Sequence, residues 1–337
     1  MKLSVFFTEQ VWAGRGLIAC LLWPISLVTK LWLNRQDHLY RSGQRNCLHL
    51  SVPVLVVGNV LVGGTGKTPV VISLVQHFQK QGIQVGVIAR AYGTPDESVR
   101  EVKADSLALV AGDEALLIKH RCDVPVFIGR QRAQAAVALI RAYPATQLII
   151  SDDGMQHREL HHDIAICVFD DRGLGNAWLL PAGPLRESWP RTLTPGVKQY
   201  LLHTASRAFE NSLPAKRHLS HIAINGLGQQ RLLSSWINQP VQALAAIARP
   251  EIFFAGLQQA GLVLAHTYPL DDHAPLSAWQ PGHDLPVFCT ETDAVKLWPH
   301  LPEVWAVPLE CDLPVAMLEA LTADVQQLSL KHGHQTA

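Results

Sequence analysis

The segment Val54-Leu55-Val56-Val57-Gly58-Asn59-Val60-Leu61-Val62-Gly63-Gly64-Thr65-Gly66-Lys67-Thr68-Pro69 decides the fold of this chain. Its first four residues are a β-branched, apolar run of the kind that fills a buried strand. Glycines follow, and Pro69 opens a stretch that reads as helix over 70–81, stopped by Gly82. Strand, glycine loop and helix together are the plan of a phosphate-binding loop. Gly63, Gly64, Thr65 and Gly66 let backbone N–H groups converge on phosphate oxygens, and Lys67 reaches the β- and γ-phosphates. The Thr68 hydroxyl is placed to ligate Mg2+. The strict pattern asks for a further glycine at 61, where this chain has Leu61. A purely structural glycine turn is the alternative.

Working outward, 85–89 reads as a second buried strand ending at Arg90, and 148–150 as a third, followed by Ser151-Asp152-Asp153-Gly154. Ligands of open α/β sheets collect at the carboxyl ends of strands. Asp152 and Asp153 therefore read as the carboxylates that hold or orient Mg2+ beside a bound nucleotide, with a turn or helix cap as the alternative. The fold expected is α/β, with a mainly parallel sheet in a P-loop nucleotide-binding domain and a second, smaller α/β domain. The cofactors expected are ATP, as co-substrate, and Mg2+.

At 337 residues the chain is long enough for about two domains of roughly 150 residues each. A content of 48% hydrophobic and 17% charged residues excludes wholesale disorder. Lys+Arg and Asp+Glu are both 28, so no generic polyanion-binding chain is indicated and no nucleic-acid partner is expected. The six cysteines are scattered without a C-x-x-C pair. They read as reduced thiols, and a structural zinc is not expected from their spacing.

The charge is unevenly spread, because residues 1–50 hold six basic residues against Glu9 and Asp37. The same region contains LIACLLWPISLVTKLWL over 17–33, interrupted by Pro24, Ser26, Thr29 and Lys30. This is short for a bilayer span. An interfacial helix fits better, with Trp23, Trp32 and the leucines among acyl chains and Arg35, Arg41 and Arg45 on anionic headgroups. A helix packed on the protein's own core, or a true span, are the alternatives.

Taken together, Val57-Gly58-Asn59, the loop 63–69, Gly112-Asp113-Glu114, Asp152-Asp153-Gly154-Met155-Gln156-His157 and Leu180-Pro181-Ala182-Gly183-Pro184-Leu185-Arg186-Glu187 resemble the tetraacyldisaccharide 4′-kinase family of lipid A biosynthesis. The resemblance covers 52–187, with weaker echoes at Asp272-His273 and over 290–296. It implies transfer of a γ-phosphoryl group to the 4′-hydroxyl of an acylated glucosamine disaccharide 1-phosphate, at the cytoplasmic face of the bacterial inner membrane. It implies Asp113 as the catalytic base paired with His273, and Lys67 and Arg186 as the phosphoryl clamp. Asn59, Arg90, Arg132, His157 and Arg186 fall at its substrate-contacting positions, and Glu187 joins Thr68, Asp152 and Asp153 as a metal ligand. Read without the family, Asp113 is equally a turn residue or helix cap, His273 one of 16 histidines, and Arg132 a residue on a solvated helix face. The departures are Ala89 and Ala91 around Arg90, and Thr292, where the family carries Lys.

The division expected is a membrane-associated segment over 1–46, a kinase domain over 47–225, a smaller domain over 226–328 and a disordered tail over 329–337. Asn225-Gly226-Leu227-Gly228 reads as the linker. A membrane-peripheral regulatory P-loop NTPase is the main functional rival, and an ATP-dependent ligase the second. Neither explains Arg186, Arg132 and a basic, apolar N-terminus together.

Overall fold

The structure, a computed structural model, describes residues 11–90, 98–191, 194–205 and 208–335. Lys2, Glu9, Ala91 and the last two residues of the expected tail lie outside them. Helix α1 (Leu17–Arg41) leads to β1 (Val54–Gly58), buried along its whole length. Then come α2 (Lys67–Lys80), β2 (Val85–Ala89), β3 (Arg100–Glu101), α3 (Ala108–Ala111), α4 (Asp113–Cys122), β4 (Val126–Ile128) and α5 (Arg132–Ala142). They are followed by β5 (Leu148–Asp152), β6 (Ile164–Phe169), β7 (Lys198–His203) and β8 (Leu213–Pro214). These strands make one sheet in the order β3-β4-β2-β5-β1-β6-β7-β8, parallel except at its edge strand β3.

A parallel sheet is covered on both faces, so its strands read as continuous apolar runs. Leu55 and Val57 of β1 face α2 and α4, while Val54 packs with Ala135, Ala136 and Leu139 of α5. Tight packing also fixes Gly58, where a Cβ would stand 2.5 Å from Met155 Cγ.

Strand β9 (Lys216–Leu219) pairs with β16 (Leu309–Asp312) where the chain enters and leaves a second sheet. That sheet contains β10 (Ile222–Asn225), β11 (Gln230–Leu232), β12 (Pro240–Ala245), β13 (Val263–Pro269), β14 (Val287–Thr290) and β15 (Trp305–Val307). Its order is β11-β10-β15-β14-β12-β13, with α6 (Pro250–Gln259) and α7 (Glu291–Leu297) alongside. Trp236, Phe253, Phe288 and Trp305 centre its own core.

Two expectations change. Asn225-Gly226-Leu227-Gly228 is the turn joining β10 to β11 inside the second sheet, closed by Gly228 N donating to Asn225 O at 3.0 Å. The glycines serve a hairpin, not a linker. The final helix α8 (Val315–Gln335) runs through Lys331 to Gln335, where a disordered tail was expected. It returns to the first sheet, with Met317, Leu321 and Val325 in the large core and Thr322 Oγ1 at 2.9 Å from His77 Nε2 of α2.

Helix α1 buries only Ala19, Ser26 and Leu33. Leu33 joins the core beside Leu61 and Leu185, whereas Leu17, Leu21, Val28, Leu31 and Trp32 are each more than half exposed, so the helix packs on the protein along one narrow stripe only. The helix is long and apolar enough to cross a membrane. It is fastened to the 176–185 loop. Ser26 Oγ donates to Leu179 O at 2.7 Å and accepts from Ala182 N at 3.1 Å, and Trp12 Nε1 donates to Pro181 O at 3.0 Å.

Candidate active site

The carboxyl ends of β1, β5 and β6 bring the glycine loop, the aspartate pair and Arg186 to one edge of the large sheet. Gly63 and Gly66 have φ of 90° and 77°, in the left-handed region that glycine occupies without strain. A Cβ at Gly66 would also stand 2.5 Å from Arg217 Nη1. Leu61, in place of the first motif glycine, is fully buried and bridges to Leu185. Its apolar side chain therefore serves the core, and the loop turns only after it.

Lys67 Nζ lies 3.4 Å from Asn59 Oδ1 and 3.6 Å from Asp153 Oδ1. Arg186 Nη1 donates to the same two groups, at 3.3 Å to Asn59 Oδ1 and 3.0 Å to Asp153 Oδ1. Burial pushes Asp153 up, but Lys67 and Arg186 outweigh it and hold the carboxyl below its ordinary value. Asp152 and Glu114 move the other way. Burial raises the fully enclosed Asp152. Glu114 keeps some surface, yet the protein around it and the Asp152 charge raise its carboxyl too.

Asp152 Oδ1 and Thr65 Oγ1 are buried without a hydrogen-bond partner among the described residues. Unsatisfied buried oxygens are costly unless a ligand meets them. An orphan carboxylate oxygen, raised carboxyl pKa values and open space around Gly64 fit a hard divalent cation carried with a polyphosphate. Glu187 departs from expectation. Its Oε1 accepts from Gln156 Nε2 at 2.6 Å and its Oε2 pairs with Arg191 Nε at 3.1 Å, so both oxygens are engaged by protein. The cause is Arg191, four residues further on.

Asp113 is the first residue of α4, just after its N-cap Gly112, and its Oδ1 accepts from Glu114 N at 2.9 Å, so this carboxyl also serves the first turn of the helix. Its Oδ2 lies 2.8 Å from Nδ1 of His273, which the loop after β13 delivers from the second sheet. Lys296 Nζ of α7 stands 3.7 Å from the same oxygen. Burial pushes Asp113 up, but the His273 hydrogen bond and charge, with Lys296, bring its carboxyl below the ordinary value. In return the Asp113 hydrogen bond, working against burial, raises His273 to about 9. The pair is thus carboxylate and imidazolium at neutral pH. Thr292 sits in the first turn of α7, its hydroxyl 3.0 Å from Thr290 Oγ1, and Lys296 is the cation of that helix that reaches Asp113.

Arg132 is fully buried, not on a solvated face. Its Nη1 donates to Gly129 O at 2.9 Å and its Nη2 to Asp152 O at 3.3 Å, and burial lowers its pKa to about 10. His157 is pushed down to about 4 by burial and then by Arg132, with Arg90 and Arg186 acting in the same direction. Arg90, Arg132, His157 and Arg186 therefore share one positive field, suited to a phosphate held by planar guanidinium forks.

Sequence reasoning missed Asp170, Arg172 and Arg217. Arg172, held by Asp170, donates from Nη1 to Val62 O at 2.9 Å and from Nη2 to Gly64 O at 3.1 Å, bracing the glycine loop from the end of β6. Asp170 follows the apolar run 164–169 as Asp152 follows 148–150, and that parallel was the available signal.

The family model for tetraacyldisaccharide-1-P 4'-kinase (LpxK) matches residues 18–326. A tetraacyldisaccharide 4'-kinase of Acidovorax sp. (strain JS42) is 45% identical over 327 residues, covering 96% of this chain and 95% of the relative. One from Polaromonas naphthalenivorans is 44% identical over 338 residues, covering 97% of this chain and 98% of the relative. The crystal structure of LpxK from Aquifex aeolicus in complex with ATP shares the fold with a TM-score of 0.79 at 24% identity, over 93% of this chain and 99% of that one. These relatives carry the kinase name and not that of a switch NTPase. With its phosphate loop, aspartate pair and Asp113–His273 contact on one sheet edge, the chain belongs to the tetraacyldisaccharide 4'-kinase family.

Proposed function

We propose that the chain transfers the γ-phosphoryl group of ATP to the 4′-hydroxyl of a tetraacylated glucosamine disaccharide 1-phosphate, giving the bis-phosphorylated lipid A precursor. The observation that carries this reading is the Asp113–His273 pair, which the second sheet brings to a phosphate loop lined by arginines.

In that reading the glycine loop and Lys67 hold the nucleotide phosphates. Thr68, Asp152 and Asp153 would hold Mg2+, which offsets phosphate charge when bound, and Glu187 acts by orienting Gln156 and Arg191. Arg186 shares Asn59 and Asp153 with Lys67 and would meet the transferring group together with it, while Asn59 holds both cations in place. Arg90, Arg132 and His157 receive the anionic, sugar end of the acceptor. Asp113 accepts the proton of the attacking hydroxyl. So acidic a carboxylate takes that proton late, when the new O–P bond is largely formed, which suits the loose transition state of phosphoryl transfer. His273, as imidazolium, orients Asp113.

The second sheet's own core supports a smaller unit of residues 220–308 that supplies His273, joined through Val295 to the large core of a catalytic unit of 47–219 with 309–335. Residues 1–46 form the membrane-associated segment, placing the enzyme on the cytoplasmic face of the inner membrane. Mixing the protein with Mg-ATP and the detergent-dispersed acylated disaccharide 1-phosphate should add one phosphoryl group to the lipid by mass spectrometry. ATP hydrolysis with an unmodified lipid would overturn the assignment.

The exposed apolar side of α1 and the basic residues at and just beyond its carboxyl end, Arg35, Arg41 and Arg45, support a contact with anionic lipid. Each basic residue near such a surface contributes about 1 kcal/mol, so replacing Arg35, Arg41 and Arg45 with Gln should weaken liposome binding at low salt by roughly a hundredfold. At high salt the difference should shrink through screening. Co-sedimentation with anionic and neutral liposomes at two ionic strengths reads this out. Equal binding by both proteins in every condition would remove the electrostatic part of the reading.

A further inference from the structure

The amino-terminal edge of the large sheet carries a second cluster that the kinase reaction does not use. Leu48 pairs with Leu160 in a parallel bridge, with Leu48 N donating to Glu159 O at 2.8 Å and His161 N to Leu48 O at 2.9 Å. Side chains alternate along extended chain, so Cys47 and His49 share the side opposite Leu48. The bridge sets His161 beside them. The His49 and His161 rings stack with centroids 4.2 Å apart, and one donor atom from each of Cys47, His49 and His161 lies within 4.8 Å of the others. Among the described residues this is the one such group of three His, Cys, Asp or Glu donors.

Behind it stands Asp163, whose Oδ2 accepts from Val54 N at 2.9 Å. Its Oδ1 faces His161 Nε2 at 3.7 Å and His332 Nε2 of α8 at 3.3 Å. A carboxylate behind a ligating imidazole is the usual device for fixing its orientation.

We propose that Cys47, His49 and His161 bind a borderline-soft divalent cation, Zn2+ before Mg2+ or Ca2+, at a site separate from the phosphate loop. A thiolate with two imidazoles is a donor set for such ions, and three protein ligands leave a fourth tetrahedral position for water. Bond lengths of about 2.0–2.3 Å place tetrahedral donors roughly 3.3–3.8 Å apart, so small side-chain rotations close the cluster. His49 is exposed and stacks on the His161 ring. Binding replaces the Cys47 S–H proton by a Zn–S bond and releases that proton to solvent. Because binding displaces that proton, affinity should rise with pH. The five residues of β1 separate the cluster from the glycine loop by about 17 Å of strand. The spacing argument against zinc does not reach this cluster, because it weighs only sequence neighbours, whereas the fold joins 47–49 to 161.

The test uses the full chain, free of any affinity tag, stripped with chelator and kept in excess Mg2+ to occupy hard-ligand sites. Calorimetric titration with Zn2+ should give one tight site, weakened at least tenfold in Cys47→Ser and His161→Ala. Co2+ should give a thiolate-to-metal charge-transfer band that Cys47→Ser abolishes. His49→Ala, at an exposed position, serves if the other variants fail to fold. Kinase turnover of the stripped variants should match wild type. No stoichiometric Zn2+ binding, or binding unchanged in all folded variants because it resides on other histidines, would overturn the proposal.

Discussion

Lys67→Ala is expected to lower kcat/KM for phosphoryl transfer by on the order of 10³-fold or more, with the fold intact. The charge on the transferring group is greatest in the transition state, and Lys67 is the buried-side cation of the loop meant to meet it. Its contacts with Asn59 and Asp153 are 3.4 Å and 3.6 Å long, and Arg186 makes shorter ones to the same groups, so little of the resting structure depends on Lys67. The substitution should also raise the carboxyl pKa values of Asp152 and Asp153, which Lys67 holds down. The same loss of positive charge strengthens the pull of these carboxylates on a divalent cation, so turnover should fall without weaker cation binding at the aspartate pair. Steady-state rates, a thermal melt and a Mg2+ titration measured on one preparation decide the matter. Turnover within a few-fold of wild type in a folded variant would remove the loop from the mechanism.

The second large effect is at Asp113. Asp113→Ala should reduce kcat by about 10²–10⁴-fold, the range for a positioned proton acceptor, with a smaller change in nucleotide affinity. The pH profile carries the sharper test. Asp113 is faced by His273, Lys296 and Glu114, and His273 by Asp113, Asp272 and Glu114. Wild type should keep a plateau from mildly acidic pH up to about 9, where His273 loses its proton. His273→Gln should remove the alkaline limb and move the acid limb upward, because Asp113 loses its main stabilising partner. The linkage to stability has two signs. The raised His273 contributes fully below its unfolded value of roughly 6.5 and fades as pH rises through about 9. The depressed Asp113 contributes above its unfolded value and fades as pH falls through its lowered one. An Asp113→Ala variant with normal kcat and reduced stability alone would make Asp113 structural.

The parts of this molecule that were legible in sequence are those written locally. The run 54–57 announces β1 because a two-face-buried strand needs apolar residues at every position, and Gly63 to Thr68 announce the loop because positive φ and close backbone approach select glycine. Asp152 was legible as the polar residue closing a buried run. The illegible parts are long-range. Arg172 braces the glycine loop and Arg217 packs against it from more than a hundred residues away, and only Asp170 at the end of an apolar run hinted at the first of them. His273 was visible only through the family resemblance, since its partner lies 160 positions earlier. The glycines at 226 and 228 misled because a hairpin turn and a linker select the same residue. Likewise α8 reads as the end of the second unit, although its apolar stripe is complementary to α2.

The fastening of α1 to the 176–185 loop has a geometric consequence. Ser26 grips both Leu179 and Ala182, and the loop continues at once into Arg186, whose N donates to Val60 O at 2.7 Å. The exposed apolar helix and the Arg186 guanidinium are thus the two ends of one short ruler. With α1 on a membrane, as proposed above, the depth at which it settles would fix the elevation of Arg186 above the acyl chains. Acceptors would then be sorted by how far their sugar stands clear of the bilayer, a selection by altitude that no soluble headgroup could satisfy.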